Sequence, residues 1–180
     1  MKKFIKSFFN KPSESNTSGS ESGKYMPKIQ DPIEERFTYN FTKNGGKFLY
    51  CEDKNECDEF FNKILEENNW KDVEILCYDD SLQNLFSKKS ELLISKTNLN
   101  SKFFLTTCEF LVAIDGSLLI CAEQIKSHKV NDLPKNFIVF AKISQFTETL
   151  SLGLNGIKSK YPKNLPTNIT TIKNFNSEEK

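Results

Sequence analysis

Carboxylates set into apolar sequence are the residues of this chain best suited to chemistry. Glu109 heads the run Phe110-Leu111-Val112-Ala113-Ile114 and Asp115 closes it, so each brings an ionisable group to a segment that otherwise favours burial. A carboxylate there is costly to desolvate unless it is paired, and a carboxylate with a tuned environment can act as a general acid or base. Glu109 and Asp115 are therefore the candidate catalytic residues, although Glu109 at the start of a strand could equally face water. Cys108 and Cys121 flank the same region and would be nucleophiles as thiolates, but an unpaired cysteine in an apolar segment favours core packing. His128, the only histidine, lies in Lys126-Ser127-His128-Lys129 with no acid spaced to form a dyad, which fits a surface position. One histidine also excludes a metal site built from two or three of them, so no metal is expected. Asp79-Asp80 follows an apolar run and suggests a divalent cation, but the pair is as easily a helix N-cap with its dipole partner, and a loop is the reading preferred. No glycine-rich dinucleotide or phosphate loop and no His-Glu-x-x-His motif is present.

These residues are positioned by a hairpin. Asp115-Gly116-Ser117 separates two apolar runs, and Asp-Gly between β-favouring residues is a strong turn signal because glycine accepts positive φ. Upstream, Asp31-Pro32-Ile33-Glu34 has the order of a helix start, with Asp as cap and Pro at the first helical position, and Gly45-Gly46 ends that helix. Lys47 to Cys51 reads as a buried strand. Residues Asn55 to Asn68 form an amphipathic helix with Cys57, Phe60, Phe61, Ile64 and Leu65 facing inward. Then follow a strand over Val73 to Tyr78, a short helix near Leu82 to Phe86, Phe103-Phe104-Leu105, the hairpin, and a strand over Phe137 to Phe140. A helix from about Ser144 to Ser159 and a strand over Asn168 to Ile172 complete the series. Helices alternating with strands predict an α/β fold with a largely parallel sheet, helices on both faces, and the hairpin as a local antiparallel feature.

Composition bounds the function. The chain has 180 residues, enough for one domain, and a net charge of +1, with no single-signed field to attract nucleic acid. Arg36 is the only arginine, so an anion site must rely on lysine, backbone N–H groups and hydroxyls. The five cysteines lack the close pairs of a zinc or iron–sulfur site. The N-terminus does not resemble a secretory signal and no run reaches the roughly 20 apolar residues of a membrane span, which predicts a cytoplasmic protein without a transmembrane segment. Residues 1–30 are expected to be a flexible tail and linker, with Phe4, Ile5, Phe8 and Phe9 beside lysines in the first ten residues. That first segment is either an amphipathic helix suited to a membrane surface or partner groove, or a disordered tail. The globular domain is expected over residues 31–180.

The order Thr106-Thr107-Cys108-Glu109, Val112-Ala113-Ile114-Asp115-Gly116-Ser117-Leu118-Leu119-Ile120, then Leu133-Pro134-Lys135-Asn136-Phe137 and Leu165-Pro166-Thr167-Asn168-Ile169-Thr170-Thr171-Ile172-Lys173 resembles the LUD domain of lactate-utilisation protein C. The likeness spans about Asp31 to Lys173 and is strongest to small stand-alone members of Bacteroidetes type. Where the family has Ala-Asp-Thr-Gly-Ser, this chain has Ala113-Ile114-Asp115-Gly116-Ser117. In the later family segment Gly-Pro-Ser-Arg-Thr-Ala-Asp-Ile-Glu, Pro166 and Ile172 are kept, while Asn168 replaces Arg and Thr171 replaces Asp. Members usually continue past the equivalent of Lys173, so the resemblance implies a chain shorter at its C-terminus.

The resemblance implies a three-layer α/β fold similar to the sugar-phosphate isomerase and CoA-transferase superfamily, with ligands over the carboxyl ends of strands. It also implies a role in oxidising L-lactate to pyruvate with partner proteins, one carrying iron–sulfur clusters, while this chain holds no cofactor of its own. The expected function is an accessory or ligand-binding component of lactate utilisation. A small anionic ligand would be held by Gly116, Ser117, Thr167, Thr170 and the start of the helix after Phe140. The alternatives are an enzyme acting on a phosphorylated or CoA-linked small molecule through Glu109 or Asp115, and a structural interaction module.

Overall fold

The computed structural model describes residues 31–86 and 92–175. The tail and linker expected over residues 1–30 lie outside the described residues.

Helix α1 spans Ile33–Lys43, one residue later than the sequence implied: Pro32 occupies the N-cap and its carbonyl accepts the Arg36 N–H at 3.1 Å. Its end is set by glycine, as expected. Gly45 adopts φ 89°, and Gly46 N–H and Gly45 N–H donate to the carbonyls of Phe41 and Thr42, both at 3.0 Å, closing a Schellman motif. The buried strand expected at Lys47 to Cys51 is absent; the segment is irregular, Leu49 and Tyr50 are each 51% exposed, and it pairs with no sheet. Phe48 packs edge-on against Phe37, a contact that needs no ladder. Helix α2 spans Lys54–Glu67, capped by Asp53, whose carboxylate accepts the N–H groups of Asn55 and Glu56.

Strand β1 (Glu74–Leu76), helix α3 (Asp80–Phe86) and strand β2 (Leu93–Ser95) form a βαβ unit. Strands β3 (Phe104–Thr107) and β6 (Phe137–Phe140) complete an all-parallel sheet in the order β2-β1-β3-β6. A second four-stranded sheet, in the order β7-β4-β5-β8, is built on the hairpin. Its strands are β4 (Phe110–Val112), β5 (Ser117–Ile120), β7 (Phe146–Thr147) and β8 (Thr170–Ile172). The hairpin is thus more than a local feature. Strand β7 joins it in parallel and β8 antiparallel. A four-residue helix α4 (Ala122–Ile125) follows β5. The last helix, α5, spans Leu150–Lys160 and starts six residues after the position expected, because Ile143–Gln145 forms a 3₁₀ turn and Phe146–Thr147 is taken into the sheet.

Alternation along the parallel strands distributes side chains to two faces. Ile75, Cys77, Phe103 and Leu105 pack with Phe61 and Leu65 of α2 and Leu82 and Phe86 of α3. Leu76 and Phe104 point the other way, into a core shared with Phe37 of α1 and Leu111, Leu118 and Ile120 of the hairpin. Helix α5 covers the hairpin sheet through Ile157, which meets Val112 and Leu119. Gly153 and Gly156 allow this approach: a Cβ on Gly156 would lie 2.3 Å from the Phe110 ring. The result is a three-layer α/β fold.

Candidate functional site

In the order β2-β1-β3-β6 the chain runs outward from β1 in one direction and from β3 in the other. The strand ends on either side of such a reversal splay apart and leave a crevice at the carboxyl edge, the usual ligand position in open parallel sheets. A cleft of about 350 Å³ occupies this place, a volume suited to a small molecule. Tyr78 and Asp79 after β1 and Thr106 and Thr107 at the end of β3 form one part of its wall, and Gln124 and Lys126 of the α4 region and Lys160 and Tyr161 from the end of α5 form another. A second cleft of about 400 Å³ adjoins it and shares Thr107, Glu109, Gln124 and Lys160.

Glu109 stands between the two, 3% exposed, where the chain passes from β3 into the hairpin. Its backbone N–H is fixed by the Leu119 carbonyl at 2.8 Å. Its carboxylate collects donors from two later segments. Oε2 accepts Lys160 Nζ at 2.8 Å, and Oε1 accepts Gln124 Nε2 at 2.8 Å and the Tyr161 hydroxyl at 3.1 Å. The Cys121 thiol lies 3.6 Å from Oε1. Burial pushes the Glu109 carboxyl up, but Lys160, Gln124 and Tyr161 outweigh it and hold the group below the usual carboxylate range. Burial also works against the Lys160 ammonium, and Glu109 and the Tyr161 phenol raise it regardless. Glu109 is therefore an ionised, fully partnered carboxylate, not a stored proton.

Two other carboxylates of the wall are partnered as well. Asp79 caps α3, accepting the N–H groups of Ser81 at 2.8 Å and Leu82 at 3.0 Å, the N-cap alternative for the pair Asp79-Asp80. Asp80 pairs with Lys96 at 2.6 Å. Glu123 is exposed. Tyr78 stacks parallel to His128 at 6.1 Å, which puts that histidine behind the cleft wall. Cys108 and Cys121 are buried, and burial pushes their thiols up to about 12 and about 11, away from the thiolate form a nucleophile needs. No group of three or more potential metal ligands occurs among the described residues.

Asp115, Gly116, Ser117, Thr167 and Thr170 line neither cleft. The turn of the hairpin is pressed against α1: a Cβ on Gly116, which has φ 67°, would lie 2.3 Å from the Phe41 backbone nitrogen. Asn40 donates to the Ala113 carbonyl at 2.9 Å and Asn44 to that of Asp115 at 2.7 Å. Asp115 in turn accepts the Ser117 hydroxyl at 2.7 Å and its N–H at 3.1 Å, and meets Lys173 at 3.7 Å. Thr170 pairs with Ile120 in the sheet, and the Thr167 carbonyl accepts the Ala122 N–H at 2.9 Å. Of the residues singled out as catalytic or ligand-binding, Glu109 lines both clefts, and Cys108 and Ser144, the latter at the expected start of the helix after Phe140, line the second. Lys160, Tyr161 and Gln124 carry no local signature, being 51, 52 and 15 residues from Glu109. The cost of burying Glu109 was the only sequence signal that such partners must exist.

Residues 34–180 match the LUD domain family. A search of curated proteins gives no match. Among solved structures the chain is similar to a DUF162 family protein from Deinococcus radiodurans, with 15% identity and a TM-score of 0.59 over 78% of this chain and 85% of that one. That likeness is one of fold.

Proposed function

Because the chain belongs to the LUD domain family, we propose that it is a ligand-binding, accessory component of organic-acid utilisation, acting on the route from L-lactate to pyruvate. The observation that carries this reading is the cleft at the strand reversal between β1 and β3, with the Glu109–Lys160 pair in its wall. The electrostatics favour a small, weakly charged acid. Asp80 and Glu109 are paired with lysines and Asp79 caps α3, while Glu123 is exposed with no ion pair among the described residues, so the wall is acidic on balance and, without arginines or a glycine-rich loop, poorly suited to a multiply charged phosphate. Converting L-lactate to pyruvate releases two electrons and two protons to an acceptor. In this reading the acceptor is an iron–sulfur partner protein in the cytoplasm, and this chain holds the acid without a cofactor of its own. Among the described residues no helix is long and apolar enough to cross a membrane, which is compatible with that setting.

Thermal-shift titration of the full chain tests the reading. L-lactate or pyruvate should raise the unfolding midpoint, since a ligand bound only by the folded state stabilises it, while sugar phosphates and CoA esters should not. No shift with any organic acid would remove the proposal. A second reading, an enzyme acting on a phosphorylated or CoA-linked molecule, is favoured by the position of Glu109 with a phenol 3.1 Å away. It requires turnover that Glu109→Gln abolishes while leaving the fold intact.

A further inference from the structure

We propose that Lys126 takes the carboxylate of the ligand and that Asn168 is the positioning residue that holds Lys126 in place; both assignments rest on the cleft being a ligand site. Lys126 closes α4 with φ 56° and ψ −130°. That conformation is open to glycine and costs a residue with a Cβ, and such outliers persist where the surroundings over-determine them and function uses the side chain. The surroundings here are specific. Asn168 Nδ2 donates to the carbonyls of both Lys126, at 3.2 Å, and His128, at 2.8 Å. One residue earlier, the Thr167 carbonyl takes the Ala122 N–H at the start of α4. The segment at 167–168 thus braces α4 at both ends. Asn168 itself has φ 56°, which asparagine tolerates.

Charge supports the same residue independently. Two lysines line the first cleft, and the ammonium of Lys160 is on Glu109 at 2.8 Å. The Lys126 ammonium donates to a backbone carbonyl, that of Glu123, at 3.1 Å and lies 5.9 Å above the Tyr78 ring. Among the described residues it has no carboxylate within ion-pair distance. Asp80 lies in its field but is already held by Lys96 at 2.6 Å. The Lys126 ammonium stands beside the Thr106 and Thr107 end of β3 with no carboxylate of its own and can take that of a monocarboxylate, while Glu123, in the same wall and without an ion pair among the described residues, disfavours the second charge of a phosphate dianion.

Calorimetric titration of the full chain with sodium L-lactate and sodium pyruvate, together with thermal unfolding, separates the possibilities. Lys126→Gln and Lys126→Gly should each weaken binding by about tenfold or more, the loss expected for a charged hydrogen bond. Lys126→Gly should at the same time raise the unfolding midpoint, because glycine relieves the backbone strain. Asn168→Gly keeps the left-handed backbone but removes the amide, and should weaken binding severalfold with Lys126 intact. Wild-type affinity in both Lys126 variants overturns the assignment and leaves the cleft's role standing. A lowered midpoint in Lys126→Gly overturns the strain account, and wild-type affinity in Asn168→Gly overturns the positioning role. If the wild-type chain binds neither acid, the inference and the functional reading fall together.

Discussion

The two ends of the hairpin β4–β5 carry similar residues to opposite effect. At the turn, Asp115 and Ser117 satisfy each other, and Asn40 of α1 and Asn44 at its C-cap donate to the carbonyls around them. At the open end, Glu109 is just as polar and just as thoroughly partnered, but its partners come from α4 and the end of α5, and a cleft lies on each side of it. The turn is covered by a helix that touches its backbone; the open end has no such cover because β1 and β3 diverge there. Polar residues in an apolar hairpin therefore do not mark a site by themselves. What marks it is whether the next layer of the fold closes over them.

The contrast can be broken most severely at the turn. Gly116→Ala should lower stability by on the order of 3 kcal/mol, since the new Cβ meets α1 backbone and the φ is positive. Denaturant unfolding would show it, and ligand affinity of the remaining folded protein should be unchanged. Wild-type stability in this variant would mean the turn is not held against α1 as described.

At the open end, Lys160→Met removes the cation while leaving Gln124 and Tyr161 on Glu109. The lysine side chain is 55% exposed, so solvent screening limits the loss to about 1 to 2 kcal/mol despite the burial of its partner. A cost as large as that of Gly116→Ala would show that the ion pair, and not the turn, anchors the hairpin.

The smallest effect is one of slope. Glu109 has a folded pKa below its unfolded value, so it contributes stability that is present above the ordinary carboxylate value of about 4.3 and is lost as pH falls through the folded value. Glu109→Gln should flatten the acid limb of the stability profile. Asp80 and Glu148, lowered by Lys96 and Arg36, act in the same direction and leave part of the slope in place. An unaltered acid limb would place the Glu109 carboxylate outside the linkage.

Where a local rule decides a feature, sequence was a sufficient guide. The glycines ending α1, the strand at Phe137 to Phe140 and the hairpin all follow from backbone geometry and short-range periodicity. Lys47 to Cys51 failed because an aromatic run resembles a strand whether or not a neighbour offers it a ladder. The late start of α5 has the same origin: Phe146 and Thr147 are drawn into β7 by pairing with Leu111 and Val112, which outweighs any local helical preference.

By itself the sequence determined the α/β class and the hairpin, because patterning and turn chemistry are local matters, and its motifs carried the resemblance to the family; it also marked Glu109 as costly to bury without a partner. The identity of that partner, the covering of Gly116 by α1 and the strained Lys126 held by Asn168 were decided only by tertiary structure. Each depends on segments dozens of residues apart being brought within a few ångströms by the strand order, and no spacing along the chain encodes that distance.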